Sequence, residues 1–465
     1  MTLPPDALAA STTPSRPSPL ARLDRIPIAT ASHRRWMWVL GFLFAFDLID
    51  LNTFAYAAPA VREQWDLSID QIGHINSIGF AGMFLGAIIG GRVSDRIGRR
   101  TVLLGSVVFY SVFSLATAAA QDATQMMVLR FLTGLGLQAM TGVLLVYLSE
   151  MFPKALRGRY QALTLGIGFV GVPVVALTAR VVVPLGGDHW RWVFVIGGLG
   201  ILGLGFARRM LPESIRWQVV NGHPETAART LDHLEQEARS AGATLAEPVE
   251  PVLAAPAPAI ELFRPRNLRR LISTMLVCVC LILCFYGFNS WVPTLLVDNG
   301  YSTSQTLTYT AILSLAAAPG AFLAVPLIDR FDRRWLLAGI EVLAAVLLLI
   351  FGFVSDPAAL VVSGFLATMM LQCGVAVIYT YLPETFPTPL RGLGSGIANG
   401  TGRLSGVIGL TVVGWVYQGL GFTAVFTYLA ATALLMGLVL VVLGERTTNV
   451  SLDDVGAGGT ADPAR

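Results

Sequence analysis

The chain has 465 residues, of which 54% are hydrophobic and only 13% are charged, about half the charged fraction of a soluble domain. This composition excludes a soluble enzyme and a disordered protein, and a formal net charge of +3 is too small for a surface that binds nucleic acid. The cysteines lie in apolar stretches without the spacing of a metal site or a disulfide framework, so we interpret them as core residues. The apolar excess predicts a membrane protein.

Twelve apolar stretches are long enough to cross a bilayer, which takes about 20 residues per helix. They lie roughly at 36–60, 72–91, 101–120, 125–149, 159–184, 190–210, 268–296, 306–328, 335–354, 358–382, 393–416 and 421–443. A polar loop and linker at 211–266 divides them into two groups of six. We therefore expect an all-α integral membrane protein with two six-helix bundles, at 33–210 and 267–445.

The segments outside the bundles are polar. Residues 1–32 are rich in Pro, Ser, Thr and Ala and lack a signal-peptide pattern, so we expect a disordered N-terminal tail. Residues 446–465 form a C-terminal tail, and Pro224–Ala238 predicts a surface helix within the central loop. Basic residues are concentrated in the tails and in the loops on the same side, which predicts that both termini are cytoplasmic.

Two loop motifs recur at the same offset of 234 residues. The segment YLSEMFPKALRG at 147–158 returns as YLPETFPTPLRG at 381–392. Four charged residues of another loop also return, because Asp95, Arg96, Arg99 and Arg100 correspond to Asp329, Arg330, Arg333 and Arg334. The repeat predicts two pseudo-symmetric halves around an axis along the membrane normal, with a site between them near the middle of the bilayer.

The pattern Gly91-x-x-x-Asp95-Arg96-x-Gly98-Arg99-Arg100 resembles the signature of the loop between helices 2 and 3 in the major facilitator superfamily. The resemblance covers residues 33 to 445 and implies that superfamily's fold. An aspartate there can accept hydrogen bonds from a helix N-terminus of the other half and from arginines, which predicts a cytoplasmic latch favouring an outward-open state. The expected gate residues are Asp95, Arg96, Arg99, Arg100, Glu150, Arg157, Asp329, Arg330, Arg333, Glu384 and Arg391.

Charged residues deep in the spans are costly to bury, so each of them calls for a partner or a function. Asp47 and Asp50 lie three residues apart in the first helix, on one side with Phe54. Two carboxylates this close cannot easily both ionise, so one is expected to hold a proton, as a proton-coupled carrier requires. Arg130 and Arg403 either bind an anionic substrate or neutralise these aspartates through an internal ion pair.

Side chains that could contact a substrate lie on three helices. Gln138 flanks the face of Arg130 on helix 4. On helix 7, Tyr286, Asn289 and Trp291 are candidates for stacking on a ring or hydrogen-bonding it, although Trp291 is also placed as an interfacial anchor. On helix 10, Gln372 and Tyr379 could face the same cavity. Glu341, near the inner end of helix 9, is expected to reach the membrane interface.

Three segments resemble the aromatic-acid/proton symporter and niacin-type (metabolite/proton symporter) branch: RLDRIPIATASHRRWMWVLGFLFAFDLID, YGFNSWVPTLLVDNGYS and YLPETFPTPLRGLGSGIANGTGRLSGVIG. This resemblance implies proton-coupled uptake of a small organic acid, aromatic or heteroaromatic, by alternating access. It also implies a monomer in the bacterial inner membrane that uses the proton gradient, with no cofactor, no metal and no enzymatic activity.

Other classes fit the sequence less well. A sugar/proton symporter or another organic-solute carrier is the alternative, but two deep arginines disfavour a neutral sugar. A drug efflux antiporter is least favoured, because the helix 5 signature of that group is only partial at Gly171-Val-Pro173. A membrane receptor would need a signalling domain, and the tails and central loop are too short for one.

Overall fold

The computed structural model describes residues 18–248, 258–328, 330–387 and 390–445, and the regular elements in these ranges are all helical. The α-helices are α1 (Pro19–Asp24), α2 (Ala31–Trp65), α3 (Ile69–Ile97), α4 (Arg99–Ala118), α5 (Ala123–Met151), α6 (Lys154–Phe169), α7 (Gly171–Val182), α8 (Arg191–Gly198), α9 (Leu204–Met210), α10 (Ile215–Val220), α11 (Pro224–Ser240), α12 (Pro265–Asp298), α13 (Thr303–Ser314), α14 (Ala317–Ile328), α15 (Arg333–Phe353), α16 (Pro357–Glu384), α17 (Arg391–Leu420) and α18 (Phe422–Leu443).

Eleven helical segments in the described ranges are long and apolar enough to span a membrane. Three of them join shorter helices, since α6 continues into α7, α8 into α9 and α13 into α14. The twelfth is α17, which has 30 residues. The many glycines and hydroxyl side chains of α17 lower its hydropathy, so it is long enough to span a membrane but less apolar than the other eleven segments. The predicted all-α architecture with twelve spanning helices is confirmed.

The turns between helices follow from local sequence. Ser68 and Ser302 begin α3 and α13 by accepting hydrogen bonds from the backbone N–H groups of Gln71 and Gln305, both at 3.2 Å. Gly98 separates α3 from α4 with a φ of 102°, a left-handed conformation that a side chain would strain. This explains the glycine in the first loop motif.

The second copy of that loop turns differently. Asp332 stands where the repeat offset would place the glycine, and its backbone is extended, with a φ of −61° and a ψ of 124°. Its carboxylate caps α15 by accepting from the backbone N–H of Arg334 at 3.0 Å. A capping side chain therefore replaces the glycine turn.

Helices α2 to α9 form the first half and α12 to α18 the second. The halves meet where α3 packs on α17, α2 on α12, and α7 on α13. Small residues allow the close approach: a Cβ on Gly73 would lie 3.4 Å from the ring of Trp291, and one on Gly406 would lie 2.6 Å from the ring of Phe80. Packing between the halves is therefore tight along α3 and α17.

We call the face of the bundle that carries α1, α10 and α11 the tail face, and the opposite face the far face. Polar contacts join the halves toward the far face. Arg62 of α2 forms an ion pair with Asp298 of α12, which also accepts a hydrogen bond from Tyr417 of α17 at 2.5 Å. The hydroxyls of Ser77 and Thr411 lie 2.8 Å apart. We call these contacts, with the bond from Arg180 to Thr308, the far seal.

On the tail face, α1, α10 and α11 form a platform on the first half. Glu235 of α11 binds both Arg22, at 2.9 Å, and Arg25, at 2.5 Å. Leu231 and Leu234 of α11 are buried in the same apolar cluster as residues of α1 and of the tail-face ends of α2 and α5. Residues 18–32 are thus ordered, which differs from the predicted disordered tail, while residues 1–17 lie outside the described ranges.

Candidate functional site

Asp50 and Arg130 form a polar cluster inside the first half. Asp50 is fully buried and accepts a hydrogen bond from Ser114 of α4, and its Oδ2 lies 3.9 Å from Nη1 of Arg130 on α5. Arg130 also donates to the backbone oxygen of Asp50 and the hydroxyl of Thr53, both at 3.3 Å. These partners all belong to the first half, so the structure favours the internal ion pair for Arg130.

Asp47 has a different environment. It is 3% exposed and accepts a hydrogen bond from Thr141 of α5 on Oδ2 at 2.9 Å. Its Oδ1 has no hydrogen-bond partner among the described residues. Asp47 also interacts electrostatically with Arg403 of α17, in the other half. Of the two aspartates, Asp47 is therefore the one that faces the interface between the halves.

Arg403 lies at this interface without a bound carboxylate. In the described part of the chain no carboxylate comes within 4.0 Å of it, and its Nε is buried without a hydrogen-bond acceptor. Its Nη1 donates to Tyr286 Oη at 3.3 Å, and the guanidinium carbon lies 5.8 Å from the centre of that ring. Arg403 can therefore accept an additional anionic partner.

Tyr379 of α16 lies on the tail-face side of Arg403 and interacts electrostatically with this arginine. Tyr379 is 41% exposed although Arg403 is buried between the halves. Tyr379 therefore has accessible surface beside Arg403, near the tail-face end of α16, whereas the far seal joins the halves at the opposite face.

A small cavity lies between the halves on the far-face side of Tyr286, and we call it the distal pocket. Phe80 and Tyr286, both in its lining, pack edge-on with ring centres 4.8 Å apart. The lining combines apolar side chains with amide and hydroxyl groups. Its residues are Leu51, Asn52, Ala55, Asn76, Gly79, Phe80, Met83, Arg130, Gly134, Leu137, Tyr286 and Ser290.

Five other predicted contact residues lie elsewhere. Trp291 is fully buried, donates to the Leu410 backbone oxygen at 3.1 Å and packs under the far seal, so it is not an interfacial anchor. Asn289 donates to the backbone oxygen of Phe285 in its own helix at 2.8 Å. The other three, Phe54, Gln138 and Gln372, are buried. Gln372 packs against α14, and Phe54 and Gln138 do not line the distal pocket.

Glu341 does not reach the membrane interface as expected. It is 1% exposed, and its Oε1 has no hydrogen-bond partner in the described ranges. A Cβ on Gly374 would lie 2.8 Å from this oxygen. The prediction was wrong because the side chain of Glu341 points into the bundle, toward α16 and α12, and does not extend along α15 to the membrane interface.

The predicted gate residues of the first half pair with each other. Arg99 lies 2.9 Å from Asp95 and 3.1 Å from Glu150, and Glu150 accepts a hydrogen bond from Ser214. The backbone N–H of Arg100 donates to Glu213 at 3.0 Å. These contacts tie α3, α4, α5 and the chain after α9 together within one half, so they do not form the predicted latch between halves in this state.

The second half repeats this arrangement. Arg333 lies 3.0 Å from Glu384, at the repeat offset from Arg99 and Glu150. The hydroxyl of Tyr381 accepts a hydrogen bond from the backbone N–H of Glu445 at 2.9 Å, just after the last helix of the second half. At the repeat offset, the hydroxyl of Tyr147 donates to the backbone oxygen of Pro212, just after α9. Asp329 lies outside the described residues. The other four predicted gate residues lie on the tail face. Arg96 and Arg330 are exposed there, and Arg157 and Arg391 are partly buried.

Comparison with known proteins assigns the family. A family model described as sugar (and other) transporter matches residues 36–457, nearly the whole chain. The chain belongs to this family of the major facilitator superfamily. It is a membrane transporter and not an enzyme.

The transporter has relatives in the branch that the sequence predicted. The niacin transporter NiaP of Acinetobacter baylyi is 32% identical over 94% of this chain and 99% of its own length. The gallate transporter of Pseudomonas putida is 30% identical over 91% of this chain and 94% of its own. The inward-open xylose transporter XylE from E. coli shares the fold, with a TM-score of 0.70, 17% identity and coverage of 91% and 98%.

Several residues of the polar cluster and of the distal pocket carry no strong sequence signal. Thr141 and Ser114 bind the aspartates, and Asn76 and Ser290 line the distal pocket, but hydroxyl and amide residues are common in spanning helices. Only the packing of α4 and α5 on α2 identifies the first two. The last two lie one helical turn or more from any charged residue, so nothing in the sequence singles them out.

Proposed function

We propose that this transporter is a monomer that takes up a small aromatic or heteroaromatic monocarboxylate together with a proton, by alternating access. The observation that carries the proposal is Arg403, a buried guanidinium between the halves with no described carboxylate partner. A substrate carboxylate would bind this guanidinium directly through strong charge-assisted hydrogen bonds, which a neutral substrate cannot form. The niacin and gallate transporters among its relatives support an aromatic acid.

Asp47 supplies the coupling to protons. Its charge and that of Arg403 face each other across the interface and stabilise each other in the empty transporter. When a substrate carboxylate takes Arg403, Asp47 loses its countercharge and is more stable with a proton bound. Substrate and proton therefore bind together, one proton for each monocarboxylate.

Asp50 has a structural role in this scheme. Its countercharge, Arg130, and its hydrogen-bond donor, Ser114, both move with the first half. Rocking of the halves leaves this cluster intact, while it changes the surroundings of Asp47. The proton that follows the substrate is therefore carried by Asp47.

We further propose that the tail face is cytoplasmic and that the membrane is the bacterial inner membrane. The tail face carries the arginine-rich loops, as the positive-inside rule requires of a cytoplasmic face. With the far seal formed and Tyr379 exposed, the structure then represents a state that faces the cytoplasm. The predicted latch around Asp95 would form when the halves rock to the outward-open state.

Uptake into proteoliposomes tests the proposal with nicotinate, benzoate and xylose as substrates. Asp47→Asn is expected to lose accumulation driven by a pH gradient and to keep counterflow, because the variant mimics the protonated form. Arg403→Gln is expected to bind the acids about 10–100-fold more weakly, the equivalent of one charge-assisted hydrogen bond. Asp50→Asn is the matched control, and it should keep gradient-driven accumulation.

Two outcomes would contradict the proposal. Normal gradient-driven uptake by Asp47→Asn would remove the assigned proton carrier. Transport of xylose with no binding of either acid would replace the acid carrier by a sugar/proton symporter.

A further inference from the structure

We propose that the junction of α12 and α18, at its tail-face end, binds an anionic phospholipid. Arg266 and Arg269 hold the phosphate, and the acyl chains lie along the lipid-facing sides of the two helices. The site belongs to the outer surface of the second half, so the inference does not depend on which substrate is carried.

Four arginines are clustered at the start of α12, and two of them have no acidic partner. Arg264 and the buried Arg270 form ion pairs with nearby glutamates, at 3.3 Å and 3.5 Å. Arg266 and Arg269 are exposed, and in the part of the chain that the structure describes neither has a carboxylate within 4.0 Å. These two guanidiniums can therefore bind an additional anionic group.

Arg269 is held at the junction by the end of α18. Its Nη2 donates to the backbone oxygen of Val442 at 3.0 Å, which occupies one of the five N–H donors of the guanidinium. The side chain of Val442 is itself exposed on the outer surface of α18. Arg269 therefore lies on the surface that lipid covers, with donors left for a phosphate.

Further into the membrane, both helices present apolar side chains to the lipid. Ile272 and Leu276 follow Arg269 at i+3 and i+7 on one side of α12, and both are exposed. On α18, Leu438 is exposed one turn before Val442. A basic group above two apolar stripes matches an amphiphile with an anionic headgroup and hydrocarbon chains.

The internal repeat indicates that Arg269 lies at the depth of the lipid headgroups. At the offset of 234 residues, Arg269 corresponds to Arg35 of α2 and Ile272 to Trp38. Both residues of α2 are exposed, and an exposed tryptophan next to an arginine is typical of the boundary between headgroups and acyl chains. A pseudo-twofold axis along the membrane normal keeps equivalent residues at one depth.

The chain before α12 extends the site into the headgroup layer. Leu262 is buried in a small apolar cluster and fixes the short helical turn Ala259–Phe263 on the bundle. Ile260 and Phe263 of this turn are exposed beside the arginines, a combination typical of segments in the membrane interface. The unpaired basic charge then favours an anionic lipid over a zwitterionic one.

Fluorescence quenching next to the junction tests the inference. A bimane label on Leu434→Cys, one turn before Leu438, reports contact with spin-labelled lipid, since the native cysteines are buried. The transporter is placed in phosphatidylcholine nanodiscs with a small fraction of spin-labelled phosphatidylglycerol or phosphatidylethanolamine. We expect phosphatidylglycerol to associate more strongly, by about fivefold for each of the two arginines, the increment for a basic residue near an anionic membrane surface.

Variants assign this preference to the site. Arg266→Gln/Arg269→Gln should reduce it to about one, whereas Arg269→Lys, which keeps the charge, should preserve it. Arg229→Gln, the same change on the exposed side of α11, is the matched control and should also preserve it. Glycerol 3-phosphate, a soluble analogue of the headgroup, should not displace the lipid because it has no acyl chains.

Four results would overturn the inference. Equal quenching by the two lipids in the wild type would remove the site, as would an undiminished preference in the double variant. A lost preference in Arg229→Gln would assign the effect to the net charge of the tail face. Displacement by glycerol 3-phosphate would replace the lipid by a free phosphate. If the double variant does not fold, Arg266→Gln decides with an expected fivefold loss, because its exposed side chain is not needed for packing.

Discussion

Asp47 and Asp50 differ in their partners because of a small rotation along one helix. Three residues of an α-helix turn through about 300°, so the two side chains point about 60° apart. This angle directs Asp50 to Ser114 of α4 and Asp47 to Thr141 of α5, where it also interacts electrostatically with Arg403 of the other half. The sequence predicts two buried acids on one side of the helix, but their partners come from neighbouring helices and cannot be predicted from it.

The two buried arginines illustrate the same limit. The sequence left Arg130 and Arg403 equivalent, since both lie in spans among glycines and small residues. Only the packing distinguishes them, because α5 brings Arg130 to Asp50 and α17 brings Arg403 to Tyr286. The positions of buried charges are thus predictable from the sequence, whereas their pairing is a property of the fold.

Glu341 gives a test at the scale of one residue. It is buried among α12, α15 and α16 without a cation in ion-pair distance in the described ranges. An ionised carboxylate there would lack a countercharge, so Glu341→Gln should leave the unfolding temperature of the purified protein nearly unchanged. Glu341→Lys should lower it markedly, since burying a lysine costs about 2.5–3.5 kcal/mol on insertion scales.

The control for this test lies one residue from Glu341. Val342 is 49% exposed on the outer surface of α15, so Val342→Leu should have no effect on the unfolding temperature. A large loss of stability in Glu341→Gln would show that the carboxylate is needed in its charged form.

At the scale of helices, the sequence predicts the spanning elements and the helix α11 of the platform well, but not the docking of α1 on it. Long apolar stretches mark the spans because nothing else in the chain combines that length with that composition. The platform depends instead on a few small contacts, such as Leu23 and Ile26 against Leu231 and Leu234. Residues 18–32 have too few apolar residues to predict order on their own, so the sequence alone predicts disorder there.

Glu235 is expected to make the platform sensitive to acid. Although burial opposes it, hydrogen bonds from Arg22 and Arg25 hold the pKa of Glu235 below the usual range of a glutamate. The contribution of Glu235 is therefore complete above the ordinary glutamate pKa and is lost as the pH falls through the lowered value. Hydrogen exchange in 224–240 should be slow at neutral pH and accelerate below about pH 4.

Substitutions separate this effect from general acid unfolding. Glu235→Gln should make the exchange in α11 fast already at neutral pH. Glu225→Gln, on the exposed surface of the same helix, should not. Equal exchange in Glu235→Gln and the wild type would show that the apolar contacts alone hold the platform.

At the scale of the whole molecule, the repeat found in the sequence is visible as repeated contacts. Arg99 and Glu150 in the first half correspond to Arg333 and Glu384 in the second, and both pairs are formed. The sequence could therefore predict the relation between the halves. It could not predict which face of the interface is closed, because the same chain must close either face in turn.

The far seal allows a test of that equilibrium. Arg62→Gln removes its ion pair with Asp298 and should increase the population that is open at the far face. Partly exposed ion pairs contribute about 0.2–1 kcal/mol, so the increase should not exceed about fivefold. Distances between spin labels at Glu63 and Asn299, both exposed on the far face, measure the two populations.

Another far-face ion pair provides the matched control. Arg191 binds Asp188 at 2.9 Å within the first half, so Arg191→Gln should leave the distance distribution unchanged. An unchanged distribution in Arg62→Gln would mean that packing of α3 on α17, and not the ion pair, keeps the far face closed.

The platform also has a practical consequence for imaging. The two halves repeat each other, so projections of the protein along the pseudo-twofold axis are hard to tell apart in electron cryo-microscopy. The platform breaks this symmetry, because α1, α10 and α11 dock on the first half only. An antibody fragment raised against α11 would therefore mark one half in every particle, and it would do so outside the path between Tyr379 and the distal pocket.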